Sequence, residues 1–344
     1  MQKAIFLVSL LFSFYVHSQS RSLPLLGKMD KYPDKGYAGC WGYTDSKGRE
    51  YALLGVADGL SIVDITDLEL SEKAFVKNKS STWTEVKTYK HYAYVVKDMA
   101  NAGIQIIDLS ELPLRVKVVN TVMDYPQNHN IWIDQEKGLM FAVGGSNMGV
   151  TIWSLENPEQ PRVITTFNGT TYVHDMYVRG NRAYLAEILS KSFSIYDISE
   201  IQKPVLVKRV RDPNSPSISF HNIWPTEDGK HLITTEETSG QPVRFWDISD
   251  ERKPKEVARW LGPSRLAHNV HVLGNKLHIA HYGSGYRVLD ISDITNPFEV
   301  SYFNARGTDD TGFIGVWGIY PYFKSKKVIM SSMEQGLFVV QYND

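Results

Sequence analysis

The sequence predicts an all-β fold: seven blades of four antiparallel strands, set in a ring and closed by an N-terminal strand that completes the last blade. Three observations carry this reading. A strand ending in an acidic turn recurs seven times, an aromatic or histidine anchor precedes each copy at an interval of 42 to 49 residues, and no stretch shows a helical period. That interval fits a four-stranded blade rather than a helical repeat.

The recurring strands are 59–67, 103–111, 149–157, 192–200, 242–250, 285–293 and 336–344, each β-branched and aromatic-rich. The anchors upstream of them are Trp41, Trp83, His129, His174, His221, His268 and Trp317. Within one repeat, strand a follows the anchor (His221-Asn222-Ile223-Trp224-Pro225) and turns at Glu227-Asp228-Gly229. Strand b runs from His231 to Thr235, strand c is the recurring segment, and strand d follows a Lys-Pro or Asn-Pro turn, as at Glu256–Leu261. The seventh copy reaches Asp344 without a strand d, and the segment Leu23–Met29 supplies one. Closure of this kind removes the open edges of a sheet.

At the strand-c ends the residues Val/Ile-Asp-Ile-Ser/Thr-Asp, the His-Asn and His-Asp anchors, the run Gly283–Asp290 and the closing Gly336-Leu337-Phe338-Val339 are distinctive. In these the sequence resembles the LVIVD-repeat proteins and, more narrowly, the choice-of-anchor B family of exported bacterial proteins. The resemblance implies a secreted or surface-displayed propeller. It implies no enzymatic activity.

The N-terminus agrees with export. Lys3, an apolar run from Ala4 to Val16, and small residues Ser18 and Ser20 form the order of a secretory leader, with cleavage expected near Ser20. The domain plan is therefore a signal peptide at 1–20 and one propeller domain at 21–344. The apolar run is too short for a comfortable membrane span, and no other stretch approaches the roughly 18 residues one requires. The expected product is a soluble monomer, periplasmic or extracellular. The single cysteine, Cys40, excludes an internal disulfide. With 37 basic against 38 acidic side chains the chain lacks the basic excess of a nucleic-acid binder.

No nucleophile elbow, metalloprotease helix, phosphate loop or dinucleotide fingerprint occurs. What stands out is the run of anchors His129, His174, His221 and His268, together with the acids and imidazole at the far end of strand b: Glu187, Glu236-Glu237 and His281. Antiparallel pairing returns the end of strand b to the face where strand a begins. His174, Glu187, His221, Glu236, Glu237, His268 and His281 are therefore the candidate ligands of a divalent transition metal, with zinc, iron or manganese suited to imidazole and carboxylate donors. The anchor position also has a packing role open to it, since tryptophan replaces histidine in three repeats. Two functions follow: a secreted binding module for a protein or glycan ligand, or a metal-dependent hydrolase or lyase.

Overall fold

The computed structural model of the protein describes residues 20–145, 149–167, 171–211 and 220–343. Residues 1–19 of the expected leader at 1–20 lie outside them. The described residues form seven sheets, the blades of a closed propeller, six of four strands and one, blade six, with a fifth added at its outer edge. Blade one is Tyr37–Thr44, Glu50–Val56, Gly59–Asp64 and Ser71–Lys77, from the axis outward. Blade five, in the same order, is Phe220–Pro225, His231–Glu236, Val243–Asp247 and Lys255–Trp260.

The strand-c motif has a local cause. The aspartate that ends the strand accepts a hydrogen bond from the amide two residues on, at Asp64–Thr66, Asp108–Ser110, Asp197–Ser199, Asp247–Ser249 and Asp290–Ser292 (2.8–3.0 Å). This is an Asx turn, for which Asp followed by Ser or Thr is suited. The apolar residue between them is buried, and its amide donates to a carbonyl of the a–b turn, as Ile198 does to Asn181 and Ile248 to Lys230. The motif thus clamps the end of strand c to its own blade. A bulge between strands c and d recurs in blade after blade and adds to their twist.

The core lies between blades. Leu53, Ile62 and Val76 of blade one pack against Val86, Val95 and Ile107 of blade two, and comparable clusters join the other pairs. Cys40 sits in the cluster joining blades seven and one, where burial raises its thiol to about 12. It acts as a small apolar side chain.

The N-terminal segment closes the ring. Leu25–Met29 pairs antiparallel with Gly336–Gln341 as the outer strand of blade seven. Just before it, Arg21–Ser22 runs parallel to the outer strand of blade six at Ser301–Tyr302, and Leu23 is buried between the two blades. The segment therefore staples two blades, one more than the sequence indicates. No helix among the described residues is long and apolar enough to cross a membrane.

Candidate functional site

Strand a of every blade faces the axis, and three layers of side chains fill the centre. The middle layer holds Gly39, Glu85, Asn130, Asp175, Asn222, Asn269 and Gly318 around a cavity of about 30 Å³. Asp175 accepts from the carboxamides of Asn130 (2.9 Å) and Asn222 (2.6 Å), and burial lifts its pKa to about 6. A Cβ at Gly39 would stand 2.6 Å from the Glu85 carboxylate, so this position is held to glycine by space. The layer below is aromatic. Trp132 packs on Tyr177 (4.2 Å), Trp224 on His271 (4.5 Å) and Trp41 on Tyr320 (4.9 Å), with the Lys87 ammonium over Trp41.

The third layer is formed by the residues just before those of the middle layer: Ala38, Thr84, His129, His174, His221, His268 and Trp317. Five of the seven sequence anchors are here. Trp41 and Trp83 are not: Trp41 lies in the aromatic layer and Trp83 on the rim, 44% exposed. Trp41 stands three residues after Ala38, as Trp132 does after His129 and Trp224 after His221, so an interval counted from tryptophan to tryptophan selects a residue of the aromatic layer.

The four histidines stack as a row, with ring centroids 4.1, 4.1 and 4.5 Å apart, and Trp317 continues it at 4.3 Å from His268. Nδ1 of His174 lies 3.1 Å from the His221 carbonyl oxygen, and Nδ1 of His268 lies 2.5 Å from that of Trp317. A carbonyl only accepts, so in both rings Nδ1 carries the proton and the neutral ring keeps its lone pair on Nε2. Burial drives His174 well below the usual histidine range and His221 and His268 down to about 3, with repulsion from neighbouring imidazoles adding to it. The rings are neutral at physiological pH.

Glu237 meets this row. Its carboxylate is 3.6 Å from His221 Nε2 and 3.8 Å from His268 Nε2, and these donor atoms all lie within 4.8 Å of one another. Donor atoms about 2.1 Å from a tetrahedral zinc stand about 3.4 Å apart, so a small contraction would let all three reach one ion. The Tyr282 hydroxyl donates to Glu237 from the neighbouring blade; Tyr282 is fully buried and has a positive φ of 42°. A non-glycine residue held there marks strain that the surrounding structure enforces.

The remaining sequence candidates lie elsewhere. Glu187 is fully buried but bonded to Ser192, Ser194 and Arg209 of its own blade (2.7–2.9 Å). Glu236 is paired with Arg244 at 2.8 Å. His281 has Nδ1 2.7 Å from Ser264 Oγ and packs against Trp260. Glu187 and Glu236 end strand b and His281 directly follows it, one strand spacing of about 4.8 Å farther from the axis than the histidines. Glu187 and Glu236 are engaged by partners in their own blades, and His281 by Trp260 of blade five and Ser264 of the loop after it. Glu237 differs because a tight turn just past the strand (Thr238 N to Glu236 O, 2.7 Å) swings it inward.

The same turn occurs in blade two (Met99 N to Lys97 O, 2.7 Å) and swings Asp98 inward. Asp98 Oδ2 lies 3.1 Å from His129 Nδ1, and its other oxygen accepts from Gln127 at 2.9 Å. The His129 contact holds the Asp98 carboxyl below its usual range. Sequence reasoning missed Asp98, and the available signal was its place one residue beyond a strand b.

The LVIVD repeat model matches residues 171–212 and 264–305, which span blades four and six. The chain carries LVIVD repeats. No curated protein matches it. Among solved structures it is similar to the computationally designed Ika8 protein, with a TM-score of 0.62 at 10% identity over 94% of this chain and 100% of that one. That likeness concerns the fold alone.

Proposed function

We propose that this LVIVD-repeat propeller is the binding module of an exported protein, and that the face carrying the histidine row recognises a protein or glycan ligand. The leader-like order of residues 1–20 supports export, with cleavage near Ser20. On that face His221, His268 and Glu237 hold one divalent transition metal. The observation that carries this reading is the convergence of two imidazole Nε2 atoms and a carboxylate within 4.8 Å, the donor set that zinc, iron or manganese takes. The carbonyl on Nδ1 of His268 is the outer support that a ligating histidine commonly has. Three protein ligands leave a position open, through which the metal would join the module to its ligand.

Elemental analysis of the purified full chain, followed by zinc titration calorimetry of the chelator-treated protein, tests the reading. One equivalent of zinc should bind, and His221→Ala should abolish it while the circular dichroism spectrum stays unchanged. Equal zinc uptake by His221→Ala would sink the site. The second reading, a metal-dependent hydrolase or lyase, is favoured by the Asp98–His129 pair at the other end of the row.

A further inference from the structure

We propose that Asp98 and His129 are an acid–base pair and that, with the metal at His221, His268 and Glu237, they make this face a hydrolytic site for small carboxylic esters. The proposal rests on the metal reading above and adds to it a substrate class and a proton donor.

The geometry at the two ends of the row is related but reversed. Asp98 and Glu237 occupy the same place in blades two and five and are turned inward by the same backbone turn. Glu237 faces Nε2 atoms, whereas Asp98 faces Nδ1. A carboxylate on Nδ1 fixes that proton and leaves Nε2 to exchange one with a substrate, and it stabilises the imidazolium formed in between. Gln127 holds the second oxygen of Asp98, so the carboxylate is oriented from both sides. The groups facing His129 are Asp98 on one side and the His174 ring on the other. The row does not conduct protons along its length, because Nδ1 of His174 and of His268 are each bonded to a carbonyl.

Access selects the substrate by size. The side chains of His221 and His268 are 2% exposed against 18% for Glu237 and 23% for Asp98, so the approach lies along the carboxylates and admits only small molecules. In the reaction, water oxygen bonds to the acyl carbon as one of its O–H bonds breaks, and His129 Nε2 takes that proton. The C–O bond to the leaving alkoxide then breaks, and its oxygen takes the proton from Nε2, which returns His129 to its starting state. The products are one acid and one alcohol.

The test uses the zinc-loaded full chain with phenyl acetate and 4-nitrophenyl acetate. Phenoxide, with a conjugate-acid pKa of about 10 like a tyrosine side chain, needs protonation as it leaves, and nitrophenoxide needs it far less. Saturable, zinc-dependent hydrolysis of both esters is expected. His129→Gln should lower kcat for phenyl acetate about 100-fold or more, with a much smaller loss on the nitrophenyl ester and unchanged zinc affinity by calorimetry. Asp98→Asn, a positioning change, should give a smaller loss and alter the pH–rate profile. If zinc binds and hydrolysis is absent, or His129→Gln loses equally on both esters, the acid–base pair is overturned and the metal site stands. If zinc does not bind, the metal reading itself has failed.

Discussion

Blades three to six and blades seven, one and two build the same layer with different chemistry. In the first arc the position holds four stacked histidines; in the second it holds Trp317, Ala38 and Thr84. The partner position on strand b changes with it. In blade two it is Lys97, fully buried, with its ammonium on the carbonyls of Val56 and Ala57 and on Thr84 Oγ1 (2.7–3.0 Å), and burial lowers it to about 8. The backbone of a blade is therefore satisfied equally by a threonine and a lysine or by an alanine. Histidine is not required for packing at this place, and four consecutive histidines call for another explanation.

The largest expected effect concerns the arc without histidines. Deleting residues 21–30 removes the outer strand of blade seven, the parallel addition to blade six and the buried Leu23. The thermal midpoint should fall by about 10 °C or more, given the apolar area lost and the opened edge. An unchanged melting curve would show that closure contributes nothing.

Next, Glu187 and Glu237 separate structure from site. Glu187→Ala removes the buried carboxylate that Ser192, Ser194 and Arg209 share and should cost about 3 kcal/mol in urea denaturation while zinc uptake stays intact. Glu237→Ala should do the reverse, with zinc affinity reduced at least tenfold and a small change in stability. Were both variants to lose zinc, the outer acids would belong to the site as well.

A smaller effect is expected from pH. His221 and His268 sit at about 3 in the folded chain and near 6.5 when unfolded. Between those values the unfolded chain binds more protons, so this contribution is complete above about pH 6.5 and is lost as pH falls toward 3. Metal-free protein should show a lower urea midpoint at pH 4.5 than at pH 7. Zinc affinity of the folded protein should stay flat from pH 5 to 8, because its imidazoles are already deprotonated; a steep decline below pH 6.5 would place the metal on exposed histidines instead.

The smallest effect belongs to Trp83. It lies on the rim, and Trp83→Ala should change stability by no more than about 0.5 kcal/mol. A loss of several kcal/mol would return it to the layer from which the structure removes it.

These contrasts show what a sequence of this kind makes legible. The propeller could be read because the Asx turn and the buried residue after the aspartate are local devices, visible as Asp-Ile-Ser in the chain. The histidine row could be read because its interval is regular from His129 to His268. Two things could not. Blade one has Ala38 where blade three has His129, and alanine gives no signal, so Trp41 three residues on passes for an equivalent of His129. Radial distance is also hidden. Glu236 and Glu237 are adjacent letters, yet one is spent on Arg244 in the blade and the other is turned to the axis by a two-residue hydrogen bond.

The pairing of Leu25 with Val340 has a consequence for how the molecule is made. Synthesis delivers the closing strand first and its partner last. Until residues near 340 emerge, the segment at 25–29 has no blade to join, and Arg21–Ser22 must wait for the outer strand of blade six. Contacts this distant along the chain slow the search for the native state. The ring can shut only as a final event, with six blades in place, which sets a long interval in which the chain must be kept from pairing with its neighbours.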